Sequence, residues 1–282
     1  MVYDTASWTR TVVDVGPVSG WEDESLAEPE LVEYAAADGA TLFARLYRAD
    51  AVTDRLLCWL HGGPTDQWQV TFMPRVAYWR AQGWNVLVPD HRGSTGHGRD
   101  YQQAMRGRWG EIDVSDTIAA IEHAHREGWG IPRYTVLVGG SAGGFTALGV
   151  AARAGRLTAA AVVSYPVTDL FDLAERSHRF ERHYTVSLVG AIPSTHAEPG
   201  PYHDRSPVDF ADRIRIPLLM FHGSADPVVP VEQSRVLATR VVEAGGLVVL
   251  KIYDGEGHGF RQPANQLDEY QRVGEFLRDY VG

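Results

Sequence analysis

The sequence predicts an α/β fold: a mostly parallel central sheet with helices on both faces and an antiparallel hairpin at the amino-terminal side. Three observations carry that prediction. Apolar runs at 55–60, 84–88, 134–138, 159–164, 217–221 and 247–253 are too continuous for strands with one wet face, so they read as strands buried on both sides. Helical patterns fill most of the gaps between them, and strands linked through helices pair in parallel. Ahead of the first buried run, 31–34 and 41–47 alternate apolar with polar residues around Ala37-Asp38-Gly39-Ala40, the pattern of a half-exposed hairpin at a sheet edge.

Taken in order, residues 1–30 are broken by Gly16-Pro17, Ser19-Gly20 and Glu28-Pro29 and are expected to form an irregular lead-in, with one domain following over 31–282. Asp113-Val114-Ser115-Asp116 resembles a helix cap followed by an acid in the first turn, and Ile118, Ile121 and Ala124 then keep helical spacing up to Gly128. Residues 142–154 read as a helix closed by Gly155, and 231–244 and 266–280 are the other clear helices. No repeat period is visible, which disfavours solenoids and propellers.

Composition narrows the function. With 282 residues, 44% of them hydrophobic, the chain can bury one large core. The formal charge of −10 and the lack of any basic run argue against a nucleic-acid partner. Cys58 is the only cysteine and lies in an apolar run, so it reads as a buried structural thiol, and no internal disulfide can form. The amino terminus lacks a signal-like apolar core and no segment is long enough to span a bilayer, so no membrane partner and a cytoplasmic setting are expected.

The run at 134–138 ends in Gly139-Gly140-Ser141-Ala142-Gly143 and turns at once into a helix. This matches G-x-S-x-G, a strand-to-helix turn that lifts a serine oxygen clear of its backbone. A side chain two residues before or after the serine would strike its neighbours, hence the glycines. A serine hydroxyl needs a base, and the base a carboxylate to hold its tautomer. Asp226 and His258 each follow a predicted strand, in the chain order Ser141, Asp226, His258. Acyl transfer also needs donors for the oxyanion. His61-Gly62-Gly63-Pro64 follows the strand at 55–60, and Pro64 has no N–H, so the hole is assigned to the amides of Ala142 and of Gly63 or Gly62.

These motifs, together with Asp90-His91-Arg92-Gly93-Ser94-Thr95-Gly96, Trp109-Gly110-Glu111, Arg205-Ser206-Pro207 and Gly255-Glu256-Gly257-His258-Gly259-Phe260, resemble the catalytic domain of the prolyl oligopeptidase family of serine peptidases, over about residues 26 to 281. The nearest branch is that of acylaminoacyl-peptidases and dipeptidyl-aminopeptidases. The resemblance implies an α/β-hydrolase fold, Ser141 as nucleophile, His258 as base and Asp226 as orienting acid, with no cofactor and no metal. It also implies that Val167, Leu170 and Phe171 line the primary specificity pocket, where Ala142 replaces an aromatic wall common among relatives. Glu181 and Arg182 are further candidates for substrate anchoring. Family members usually carry an amino-terminal β-propeller over the active site, and this sequence is read as lacking it.

The leading expectation is therefore cleavage of an amide bond in a short peptide or acylated amino compound, with a carboxylesterase as the alternative and a non-catalytic binding module as a third reading. Residues 167–207, rich in apolar side chains such as Phe171, Phe180, Tyr184, Leu188, Val189, Ile192 and Tyr202, are expected to cover the site as a partial lid or to pack against a second copy in a homo-oligomer.

Overall fold

The computed structural model describes residues 2–11, 28–71, 73–176, 182–193 and 200–282. Its first segment departs from the irregular lead-in expected of residues 1–30: β1 (Val2–Asp4) and β2 (Thr9–Thr11) pair antiparallel. The cause is local, because Asp4 Oδ1 accepts hydrogen bonds from the amides of Ala6 (2.8 Å) and Ser7 (3.3 Å), a turn that reverses the chain. Residues 12–27 lie outside the described residues.

From Glu30 the chain builds an eight-stranded sheet. The expected hairpin is formed by β3 (Glu30–Ala35) and β4 (Thr41–Tyr47), its turn passing through Gly39 at φ 83°. Then come β5 (Leu56–Leu60), β6 (Asn85–Asp90), β7 (Thr135–Gly140), β8 (Ala160–Ser164), β9 (Leu218–Gly223) and β10 (Val248–Tyr253), each centred on the apolar run that predicts it. The spatial order is β3-β4-β6-β5-β7-β8-β9-β10, with β4 alone running against the rest. After β5 the chain steps to one side to form β6, then returns to the other side for β7. The carboxyl ends of β5 and β7 therefore flank the point where strand order reverses, the crevice in which such sheets bind ligands.

The period-2 alternation of strands sorts two cores. Leu57 and Trp59 of β5 face a layer that holds Val76 and Trp79 of α1 (Pro74–Ala81), while Cys58 and Leu60 face the opposite layer with Val114 and Ile121. Cys58 is fully buried there, as expected, and burial raises its thiol pKa far above the ordinary range. Beyond β6 lie the short α2 (Arg99–Gln103) and then α3 (Ile112–Arg126), which supplies Val114 and Ile121. The serine turn leads directly into α4 (Ala142–Ala154).

Two local expectations change. Asp113 is not a cap: it sits inside α3, fully buried, and its carboxylate accepts from the Gly110 amide (2.7 Å) and the Thr146 hydroxyl (2.6 Å), tying α3 to α4. Gly155 does not close α4 in a left-handed conformation; at φ −53° it continues into a 3₁₀ turn over Gly155–Leu157.

Among the described residues between β8 and β9 lie three short α-helices, α5 (Leu170–Arg176), α6 (Arg182–Val189) and α7 (Pro201–Arg205), followed by a 3₁₀ segment at Pro207–Arg213. Leu188, Val189 and Tyr202, from the segment expected to form a partial lid or a contact with a second copy, are buried against Met105, Trp109 and Phe145. Tyr184 and Ile192 stay exposed, and Phe180 lies outside the described residues. The remaining helices, α8 (Val231–Glu243) and α9 (Pro263–Tyr280), complete the layers on the two faces. No helix among the described residues is long and apolar enough to cross a membrane.

One buried ion pair ties the hairpin to the parallel strands: Arg45 of β4 donates to Asp90 at the end of β6 (3.0 Å), with both side chains 3% exposed. Arg45→Met should lower unfolding stability by about 3 kcal/mol, because it leaves a buried carboxylate without its cation. Adding Asp90→Leu should restore much of that loss in urea unfolding, and a double variant as unstable as the sum of the two singles would show that the pair is not coupled.

Candidate active site

Ser141 stands at the end of β7 with φ 55° and ψ −123°, a conformation that non-glycine residues seldom adopt. Its surroundings impose that geometry. The Ser141 amide donates to the Ser164 carbonyl (3.0 Å), and its carbonyl accepts from Phe145 (3.1 Å) and Val167 (3.3 Å). The glycines on either side have no room for a β-carbon: one at Gly139 would lie 2.4 Å from the Gly143 oxygen, and one at Gly143 would lie 2.4 Å from the Leu60 oxygen and 2.6 Å from that of His61. The serine turn thus packs backbone to backbone on the end of β5.

That contact brings the His61-Gly62-Gly63 loop to the serine. A β-carbon at Gly62 would sit 3.7 Å from Ser141 Cβ, and Gly63 takes φ 120°, a value open to glycine. His61 is buried and positions the loop. Its Nδ1–H donates to the Gly62 carbonyl (2.7 Å), leaving Nε2 to accept from the Ser94 hydroxyl (2.7 Å). Burial, and then the neighbouring His91 stacked at 4.6 Å, hold the His61 ring below the ordinary histidine range, so it is neutral near pH 7. His61 and Ser94 come from two motifs far apart in sequence that prove to be one structural unit.

Asp226 and His258 meet at the carboxyl ends of β9 and β10. His258 Nδ1 donates to Asp226 Oδ2 at 2.8 Å, and Asp226 Oδ1 accepts from the amides of Val228 (2.8 Å) and Val229 (3.0 Å). Proton on Nδ1 leaves the lone pair on Nε2. The structure joins these two directly, whereas Ser141 Oγ makes no hydrogen bond among the described residues. Tyr165 links the two halves: its ring lies 4.6 Å from that of His258, and it also stands 3.1 Å from where a β-carbon of Gly140 would be.

Sequence reasoning missed the residues that support this pair. His222 is fully buried, with Nε2 donating to the Val229 carbonyl (2.9 Å) and lying 3.5 Å from Asp226 Oδ2, while Nδ1 accepts from Ser234 (2.7 Å). Gly223 lets the two loops touch, since a β-carbon there would be 2.3 Å from the Glu256 oxygen. Glu256 in turn accepts from the amides of Arg261 and Gln262 (both 2.9 Å) and from Asn265 (2.8 Å), shaping the histidine loop onto the start of α9. Burial alone would raise the Asp226 pKa, but hydrogen bonds from His222, His258 and the Val229 amide outweigh it and hold the carboxyl well below the usual range.

Of the candidate pocket residues, Val167 and Leu170 are buried beside Ala142 and Phe145, and Phe171 packs partly buried against them. Leu170 has no exposed surface, so its side chain cannot touch a ligand in this conformation. Glu181 and the side chain of Arg182 lie outside the described residues.

Two outcomes test this geometry. Gly223→Ala should cost about 1–3 kcal/mol of stability by forcing the two loops apart, measurable by denaturant unfolding; an unchanged midpoint would contradict the close approach. Because Asp226 titrates lower folded than unfolded, its contribution is complete above the unfolded value near pH 4 and is lost as pH falls further. The stability gap between wild type and Asp226→Asn should therefore be flat from about pH 5 to 8 and narrow below about pH 4. A gap that instead narrows above neutrality would contradict the ionised carboxylate.

Comparison with known proteins follows the same residues. The chain is 28% identical to the dipeptidyl peptidase family member 6 of Caenorhabditis elegans, over 90% of this chain and 35% of that one. It is 26% identical to the acylamino-acid-releasing enzyme of Arabidopsis thaliana, over 80% of this chain and 30% of that one. Among solved structures, a puromycin-hydrolyzing peptidase of Mycobacterium tuberculosis superposes with a TM-score of 0.85 at 29% identity, over 91% of this chain and 40% of that one. The chain spans only about a third of the length of these curated relatives. Residues 70–282, which carry the serine turn, Asp226 and His258, match the prolyl oligopeptidase family, and the chain belongs to that family.

Proposed function

We propose that the chain is a cofactor-independent serine hydrolase that cleaves an amide bond in a short peptide or acylated amino compound, with Ser141 as nucleophile, His258 as base and Asp226 as the acid that orients it. The observation that most supports this reading is the 2.8 Å bond from His258 Nδ1 to a carboxylate held ionised, which leaves Nε2 as the proton acceptor. The conformation of Ser141 at φ 55° supports it independently. The family, and relatives named for releasing acylamino acids or hydrolysing puromycin, favour an amide over an ester substrate. In this reading the chain works in the cytoplasm on small substrates, without a metal.

The chemistry runs in two halves. Ser141 Oγ attacks the carbonyl carbon as its proton passes to His258 Nε2. The carbonyl electron pair moves to oxygen, where the amides of Ala142 and of Gly63 or Gly62 donate to it, each such donor contributing about 100- to 1,000-fold in rate. Collapse of the tetrahedral species expels the amine, which takes the proton from His258, and leaves the acyl group on Ser141. Water then gives a proton to the same nitrogen as it adds to the acyl carbonyl, and the second collapse returns that proton to Ser141 and frees the acid. Throughout, Asp226 stays ionised and holds the ring.

Ser141→Ala should lower kcat on an aminoacyl anilide by about 10⁴-fold or more while leaving circular dichroism unchanged, and an active-site phosphonate should label wild type only. Activity near wild type in the variant would eliminate the assignment. A matched aminoacyl ester, run beside the anilide and puromycin, separates an amidase from an esterase.

A further inference from the structure

A cleft of about 650 Å³ opens between α2 and α6. One end is Thr65, two residues beyond Gly63, and its amide donates to the Tyr184 hydroxyl of α6 (3.3 Å). The cleft thus starts two residues from the loop assigned to the oxyanion. Its opposite walls are fixed to each other, because the amides of Gly107 and Trp109, which follow α2, donate to the carbonyls of Ser187 (3.0 Å) and Leu188 (3.1 Å) in α6.

The lining is chemically one-sided. Arg99 and Arg106 line it with exposed side chains, and among the described residues no aspartate or glutamate does so, in a chain with 36 acidic residues against 26 basic ones. Three other arginines of this region are matched: Arg92 with Asp116 (2.7 Å), Arg205 with Glu111 (2.7 Å) and Arg108 with Glu111 (3.9 Å). Arg99 and Arg106 form no ion pair among the described residues. Gln102, Gln103, Tyr184 and Ser187 add neutral side chains that can donate hydrogen bonds. A volume of this order suits a small molecule or a few residues of a peptide.

We propose that this cleft is an anion-accepting subsite of the active centre, selecting substrates that carry a free carboxylate beyond the oxyanion loop. The inference rests on the hydrolase reading for its place in catalysis, and on the two arginines for its chemistry. A carboxylate accepts paired hydrogen bonds from a guanidinium plane, and it relieves the repulsion between two like charges that share one cleft. Because both arginines are exposed, the attraction is screened by salt. The carboxylate can belong to the acyl half or to the leaving half of the substrate, and a pair of probes separates these.

Calorimetric titration of the Ser141→Ala protein needs no turnover, so its result does not depend on whether the hydrolase reading holds. The probes are N-acetyl-alanyl-alanine with a free carboxylate, its carboxamide, and succinyl-alanyl-alanine amide, which carries the carboxylate on the acyl side. One of the two acids should bind about fivefold tighter than the neutral carboxamide at low salt, with the gap closing at about 0.5 M salt. In the Arg99→Gln/Arg106→Gln double variant the ratio of the two affinities should fall towards one. Tighter binding of the first acid assigns the cleft to the leaving half, and of the succinyl compound to the acyl half. Equal binding of all three probes, or a preference that survives in the double variant, overturns the subsite. Phosphonate labelling of wild type reports on the hydrolase reading separately: a protein that prefers the acid but resists labelling keeps the anion cleft and loses the catalytic assignment.

Discussion

The arrangement depends on one steric constraint: Gly143, in the first turn of α4, lies where a β-carbon would be 2.4 Å from the Leu60 oxygen and 2.6 Å from the His61 oxygen. The helix after the serine can therefore sit directly on the carboxyl end of β5. Since β5 and β7 are hydrogen-bonded neighbours at the point where strand order reverses, that contact sets the serine turn beside the glycine loop. The unfavourable backbone of Ser141 persists because the surrounding hydrogen bonds over-determine it.

Around this contact the recurrent motifs act as braces. Ser94 holds His61 in the loop after β5, and Arg92 of the same motif donates through its amide and side chain to Asp116 at 2.9 Å, fixing that segment on α3. Asp113 joins α3 to α4 through Thr146, one turn beyond the serine. Arg205 donates to the carbonyls of Gly107, Trp109 and Val189, binding the helical insertion to the loop that precedes α3. Each brace satisfies polar groups, of side chain or backbone, that would otherwise be costly to bury. Motifs that are separate along the chain thus become a connected polar scaffold.

Much of the fold was legible in the residues. Unbroken apolar runs marked all six parallel strands, although β10, at the sheet edge, is not buried on both faces and leaves Val249 exposed. Alternation marked β3 and β4, of which only β3 is half-exposed, because β4 lies between β3 and β6 and buries Leu42 and Ala44 through Tyr47. α1 was not anticipated because Arg75, Tyr78 and Arg80 interrupt its apolar face, leaving only Val76 and Trp79 fully buried. The pairing of β1 with β2 turns on a single Asp4 side chain, a signal too short to stand out among the turn formers around it.

For the site, residue type and order along the chain pointed to Ser141, Asp226 and His258, because the chemistry restricts which side chains can follow which strand ends. Only the tertiary structure decided that Asp226 and His258 share a hydrogen bond 32 residues apart, that His222 shares the same carboxylate, and that Gly223 is the residue that lets their loops touch. The same holds for Arg99 and Arg106: that both line one cleft between α2 and α6, with no acid among its described lining residues, follows from how those segments pack. The sequence by itself determined the periodicities and the reactive side chains, since these are local properties of the chain. Charge environment, backbone proximity and shared hydrogen-bond partners arise between segments far apart in sequence, and no local pattern encodes them.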